Sequence, residues 1–413
     1  MLQKQTILLT TLKESKLTPT VGIRNFPIEA VLAIAFQEAL SIAVWRLPQH
    51  KNYHLIIGLE TKKLSQPNLE ELKKGFIVSP FLPSKVQHIQ YIPADIHFQF
   101  SEENSFQLQL NQESVIVGNT PQKEVFLQKM QQPKIDKPHY YHSAFKEKLT
   151  DKETFINKVK KAVEAMEANQ FKKVVLSRCH QEPIKTDFSL IDSFLKLSAK
   201  YPHAFISLVS TPETGTWLGA SPETLVEVDK NQHFKTMALA GTQKRKKFED
   251  LREMTWKQKE IEEQALVSRY IINCFKKIRL REFEEIGPRT VAAAALAHLR
   301  TDFIVNLKET NFPELGSVML QLLHPTSAVC GMPKEAATAF IQENEGYDRG
   351  LYSGYLGPIQ IEESTNLFVN LRCAQLTGNQ VIYYAGAGIT VDSVAEKEWE
   401  ETALKMGTVA ACL

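Results

Sequence analysis

Four short β-rich runs, 204–210, 216–220, 224–228 and 233–239, follow one another with no helical stretch between them. Strands so close in sequence favour an α+β or mixed α/β sheet over a strictly alternating doubly wound fold. Around this block the pattern mixes. An amphipathic helix is expected at 152–169, a strand at 173–178, a helix at 190–199, and two long helices at 250–277 and 287–307.

The preceding part reads as sheet with one or two helices, its β-rich runs falling at 53–60, 75–83, 86–100 and 106–110. The stretch 28–47 is the most membrane-like. Glu29, Gln37, Glu38 and Arg46 interrupt it and Pro27 and Pro48 bracket it, so it reads as a buried or amphipathic helix. Residues 111–143, rich in Gln, Lys and Pro, form the expected connection between an N-terminal subdomain, 1–130, and a catalytic region, 152–413. Near the end, 367–376 and 381–385 flank Thr377-Gly378-Asn379-Gln380 as a hairpin. Alternation places Phe368, Asn370 and Arg372 on one face and Val369, Leu371 and Cys373 on the other.

Charge narrows the partners. With 49 Lys+Arg against 47 Asp+Glu the formal charge is +2, too little for a general field drawing in nucleic acid or an anionic membrane. A small molecule is the expected partner. The five cysteines are scattered without a C-x-x-C pair, which suggests neither a disulfide framework nor a structural zinc site. The first residues lack a signal peptide's apolar core, and a cytoplasmic location is expected.

Two Glu-x-x-Glu pairs could carry chemistry: Glu260 with Glu263, and Glu398 with Glu401. Residues three apart on a helix share a face, so each pair can present two carboxylates to one place. The stripe Glu263, Val267, Tyr270, Cys274 has inward spacing, which draws Glu263 toward the core. Facing helices of this kind would offer oxygen ligands to Mg²⁺. The alternative is two solvated faces balanced by Lys257, Lys259, Lys397 and Lys405. Lys173 opens the apolar strand Val174-Val175-Leu176, where an inward-turned lysine is a candidate general base and an outward one merely exposed. Gly386 and Gly388 could let backbone approach an anion, or simply end a strand. His298 reads as a core histidine on an apolar helix.

Taken together, Lys173-Val-Val-Leu-Ser-Arg178, Ser221-Pro-Glu223, Ala240-Gly-Thr242, Glu260-x-x-Glu263, His324-Pro-Thr-Ser-Ala328, Asp348-Arg-Gly-Leu-Tyr352, Leu371-Arg372-Cys373, Ala385-Gly-Ala-Gly-Ile389 and Glu398-Trp-x-Glu401-Thr resemble the chorismate-utilising enzymes. These include isochorismate synthase, salicylate synthase, anthranilate synthase component I and aminodeoxychorismate synthase. The resemblance runs from about residue 152 to the C-terminus and is faint before about 130.

The resemblance implies one large α/β unit of two similar halves, with central sheets covered by helices and the site in the cleft between them. It implies reversible conversion of chorismate to isochorismate, water entering at C2 while the C4 hydroxyl leaves. Lys173 is similar to the family's general base and Glu223 to its general acid. Glu263 and Glu401 resemble the Mg²⁺ ligands, supported by Glu260 and Glu398. Arg372 and Tyr352 resemble the clamp on the enolpyruvyl carboxylate, and Thr242, His298, Gly386, Gly388 and Lys405 further substrate-binding positions. Lys405, four residues after Glu401, also suits a helix salt bridge. Lysine at 173 and the absence of a nucleophilic lysine at Ala240 point to water as the nucleophile. Gln264, where histidine is commoner, and Ser327, where proline is usual, depart from the pattern. The motifs look most like isochorismate synthases of menaquinone or siderophore biosynthesis. The alternatives are salicylate synthase, an anthranilate-type subunit, or a regulator that binds chorismate without turnover. No obligatory protein partner is expected, only a monomer or weak homodimer.

Overall fold

The structure, a computed structural model, describes residues 28–84, 87–101, 115–116, 125–126, 128–129, 140–142, 149–244, 250–251, 253–293 and 296–413. Two antiparallel sheets dominate it. One has ten strands in the order β15 (Gly331–Met332), β8 (Lys173–Pro183), β19 (Gln380–Ile389), β18 (Cys373–Leu376), β10 (Gly215–Ser221), β9 (Phe205–Thr211), β1 (Ser41–Arg46), β2 (Asn52–Gly58), β6 (Ile96–Ser101) and β7 (Val115–Ile116). The other has nine: β13 (Glu284–Ala293), β14 (Leu296–Asn306), β12 (His233–Lys244), β11 (Thr224–Val228), β17 (Thr365–Val369), β16 (Tyr355–Ile359), β4 (Gly75–Ser79), β5 (Ile89–Pro93) and β3 (Lys62–Leu64).

The sheets meet face to face through an apolar layer that includes Trp45, Phe76, Val78, Phe205, Phe368 and Tyr384. Phe205 from β9 stacks on Phe368 from β17 with ring centroids 4.1 Å apart. Helices cover the outer faces. On the ten-stranded sheet α1 (Ile28–Gln37), α3 (Leu190–Lys200) and the end of α8 (Ala395–Ala410) bury their apolar stripes. A further core gathers α2 (Lys152–Glu167), α4 (Gln258–Lys277), α6 (Leu315–Leu323) and α7 (Lys334–Asn344), while the one-turn α5 (Leu307–Thr310) follows β14. The start of α2 is fixed by Asp151, whose Oδ1 accepts the Thr154 amide at 2.7 Å, a cap worth about 1 kcal/mol.

Four sequence expectations are corrected. The stretch 28–47 is a helix only to Gln37; Ala39 turns to φ 54°, and Ser41–Arg46 continues as a wholly buried strand. The β-branched and aromatic residues of Ile42-Ala43-Val44-Trp45 favour that ending. The helix expected at 287–307 is the hairpin β13–β14, so His298 lies on a strand. Its alanines suggested helix, yet Thr301, Phe303 and Val305 are buried while Arg300, Asp302 and Ile304 are only partly so, the period of a strand. The long helix before it begins at Gln258, not at 250.

The fourth correction matters most for the site. The arm 367–376 is not one strand: β17 ends in the nine-stranded sheet, Asn370–Arg372 crosses the gap with Arg372 at φ 48°, and β18 resumes in the ten-stranded sheet. Face alternation therefore does not carry through Arg372. Beside it, Pro222–Glu223 makes the reverse crossing from β10 to β11. The crossings are tied by Ser221 Oγ donating to Val369 O, the Val369 amide to Glu223 O (3.0 Å) and the Ala220 amide to Arg372 O (3.0 Å). The run 106–110 and most of 111–143 lie outside the described residues.

Candidate active site

One cavity is lined from both sheets and from α4 and α8. Its walls include Glu223, Thr242, Glu263, His298, Tyr352, Arg372, Gly386, Gly388, Glu401 and Lys405. Of the residues expected from sequence, Lys173, Glu260 and Glu398 stand just behind this lining.

Lys173, at the start of β8, is buried, and its Nζ donates to Glu263 Oε1 at 2.9 Å. Both atoms crowd Gly388 on the paired strand β19: a Cβ there would lie 2.8 Å from Glu263 Oε1 and 3.5 Å from Lys173 Nζ. Gly388, next to last in β19, still pairs with β8, and its missing side chain makes the room in which amine and carboxylate meet. Gly386 similarly admits Tyr352, whose hydroxyl would be 2.9 Å from an added Cβ. Burial pushes the Glu263 carboxyl up, but Lys173, aided by Lys405 and Lys259, outweighs this and holds it below the usual carboxylate range.

Glu223 has the opposite character. It is 3 % exposed, and burial pushes its carboxyl up to about 8 against the lesser pulls of Thr326 and Lys173. Thr326 Oγ1 lies 3.4 Å from Glu223 Oε1. At neutral pH Glu223 therefore holds a proton.

His298 is kept neutral, at about 3, by burial and then by Arg372. Its Nδ1 donates to Gly241 O at 2.9 Å and lies 3.3 Å from Thr242 Oγ1. Nε2 has no partner among the described residues and so offers a lone pair at the cavity wall. The Arg372 guanidinium donates to Thr408 Oγ1 at 3.2 Å. Lys405 Nζ bridges Glu401 Oε1 (2.6 Å) and Gly386 O (2.9 Å), joining the expected helix salt bridge to the cavity floor.

The acidic pairs divide their duties. Glu263 and Glu401 line the cavity, whereas Glu398 is buried against Lys259 at 3.0 Å and Glu260 caps its own helix by accepting the Lys257 amide at 3.0 Å. Two carboxylates from different helices on one cavity suit Mg²⁺, which takes one or two carboxylates and completes its shell with water and substrate oxygens. The donor set therefore fits that ion.

Sequence reasoning gave no role to Thr326, although it lies in the quoted His324–Ala328 motif; Lys259, expected to balance the acidic pairs, does meet Glu398. Gln264, noted only as a departure, cross-links α4 to the sheet. It accepts the Ala240 amide at 3.0 Å and donates to Ala238 O at 3.2 Å and Thr301 Oγ1 at 2.9 Å.

Residues 90–413 match the family model described as chorismate binding enzyme. The chain belongs to the chorismate-binding enzyme family. Among its relatives, isochorismate synthase EntC of Escherichia coli (strain K12) is 32% identical over 268 residues, 63% of this chain and 67% of that protein. The vibriobactin-specific isochorismate synthase of Vibrio cholerae is 30% identical over 247 residues, 58% of this chain and 61% of its own length. The solved structure of MenF, the menaquinone-specific isochorismate synthase from Escherichia coli, has the same fold, with TM-score 0.72 at 20% identity, covering 94% of this chain and 93% of that one. No helix among the described residues is long and apolar enough to cross a membrane.

Proposed function

We propose that this member of the family is an isochorismate synthase that interconverts chorismate and isochorismate. The observation that carries the reading is the pairing, around one cavity, of a carboxyl that stays protonated to about pH 8 with a buried amine. Hydroxide is a poor leaving group, so a proton must be given on one side of the ring while another is taken on the other. In its unprotonated form the Lys173 amine removes a proton from water as the water oxygen bonds to C2. Both conjugated ring double bonds shift along the ring, the C4–O bond breaks, and Glu223 protonates the departing oxygen, so one water enters and one leaves. Each group contributes roughly 10²–10⁴-fold in rate.

Arg372 suits the enolpyruvyl carboxylate, because a guanidinium makes paired charge-assisted hydrogen bonds to a carboxylate plane. The Tyr352 hydroxyl supplies a further donor to that carboxylate, and the His298 Nε2 lone pair an acceptor for a substrate hydroxyl. Mg²⁺, held by Glu263 and Glu401 with Glu260 and Glu398 behind them, would bind the ring carboxylate and neutralise its charge. Ala240 offers no nucleophilic amine, which supports water as the attacking group. The relatives' names place such enzymes in menaquinone or siderophore biosynthesis, and we assign this protein to one of those routes.

The test is incubation with chorismate and Mg²⁺ followed by chromatography. Isochorismate alone is the expected product. Salicylate with pyruvate would make the protein a salicylate synthase, anthranilate formed on adding ammonium would make it an anthranilate-type subunit, and binding without product would make it a regulator.

A further inference from the structure

Arg349, in the Asp348-Arg349-Gly350 turn, forms with Glu345 a buried charge pair that is not itself part of the cavity lining and has no role in the chemistry above. Arg349 and Glu345 are each 2 % exposed and form a two-pronged contact, Nε to Oε2 at 2.5 Å and Nη2 to Oε1 at 2.7 Å. The guanidinium's other hydrogens reach two backbone carbonyls, Val175 O from Nη2 and Val329 O from Nη1, both at 2.8 Å. Glu345 Oε1 in turn accepts the Ser177 amide at 2.6 Å and the Ser177 hydroxyl at 2.8 Å.

The positions gripped are telling. Val175 and Ser177 lie two and four residues beyond Lys173 on the same strand. Val329 closes a tight turn onto Thr326, its amide donating to Thr326 O at 3.1 Å, and Thr326 is the residue whose hydroxyl lies beside Glu223. Strand and turn also meet directly, the Val175 amide donating to Cys330 O at 2.7 Å. Val175 and Val329 both line the cavity.

We infer that Arg349, locked by Glu345, is a positioning residue that fixes the base-bearing strand relative to the turn supporting the acid. Only a planar fork can satisfy this geometry: lysine keeps the charge but cannot bond one carboxylate and two separated carbonyls in a plane. The pair therefore sets the separation of amine and carboxyl, which the reaction needs and which substrate binding, made largely through Arg372 and α8, does not. The inference rests on the functional reading above.

Arg349→Lys is the test. Its kcat should fall roughly 10–100-fold, the scale of a misplacement of about 1 Å, while KM for chorismate stays within about threefold. Amide exchange should quicken at 173–177 and 326–330 and not across the molecule. A kcat within twofold of the parent, or a rise in KM that accounts for the whole loss, overturns the inference. If Arg349→Lys does not fold, Ser177→Ala, which removes one bond to Glu345, should lower kcat about threefold or more at constant KM, and no change in kcat overturns the inference equally. The parent protein is the control for the functional reading. If it forms another product, the same split is measured on that product. If it is inert toward chorismate the functional reading fails, and the exchange pattern decides whether strand and turn are held together by Arg349.

Discussion

Replacing Glu223 by glutamine should yield a protein that is at once more stable and inactive. Moving a carboxyl from its ordinary 4.5 to about 8 places about 5 kcal/mol between its protonation states. Below pH 4.5 the group is neutral both folded and unfolded, and its burial then carries no ionic penalty. From 4.5 to about 8 the unfolded chain ionises Glu223 while the native protein keeps the proton, so stability drains away as pH rises, and the loss is complete above about 8. Near pH 7 roughly 3 kcal/mol has been given up.

Glutamine has the same shape, stays neutral throughout and can still accept the Thr326 hydroxyl through its Oε1. Allowing for the amide hydrogens it must bury, Glu223→Gln should gain about 2 kcal/mol near pH 7 and almost nothing near pH 4.5. Urea unfolding of both proteins between pH 4.5 and 8.5 measures this difference, from which titrations common to both cancel. Isochorismate formation by the variant should drop roughly 10²–10⁴-fold, and the parent's kcat/KM should decline as pH rises through about 8. A stability gain that is the same at every pH, or a loss at pH 7, would refute the burial argument. Full activity in the variant would refute the acid assignment.

Other perturbations reach the remaining groups. Lys173→Ala should lower turnover at least about 10²-fold while leaving chorismate affinity within a few-fold, and a variant with normal turnover would remove the base assignment. Glu401→Ala should move the Mg²⁺ titration of activity upward by roughly tenfold or more, with an unaltered titration counting against its ligand role. Because burial and Arg372 hold His298 at about 3, its imidazole should not titrate between pH 5 and 8. Nitrogen-15 NMR should find the proton on Nδ1 throughout, and a titration near 6.5 would contradict the neutral acceptor described above.

The motifs picked out residues that the structure gathers at one cavity, while the course of several elements was less legible. Glu263 could be placed at the core edge because Val267, Tyr270 and Cys274 continue its stripe, and the structure buries Val267 and Cys274. The roles of Glu260 and Glu398 were less readable, since spacing alone cannot say which carboxylate of a pair meets a lysine. His298 was misplaced because a run of alanines carries high helix propensity, and only the pairing of β13, β14 and β12 outweighs it. Arg372 does line the cavity, but from a different local structure than alternation gives: alternation supposes an unbroken pleat, and nothing in Asn370-Leu371-Arg372 announces a change of sheet. Arg349 is hard to read because two of its bonds go to backbone carbonyls, which have no letter in a sequence, and Thr326 because its hydroxyl meets Glu223 only through the fold.

The paired crossings between the sheets give this pocket an unusual kinship with the scaffold. Glu223 and the Arg372 guanidinium sit where the polypeptide is stitched from one layer to the other, so a slip between the layers would also move them. Divergence toward another product has more latitude at walls made by single small side chains, such as Ala240 and Ala328, than at these seams. There, altering the reaction and re-sewing the sandwich would be the same event.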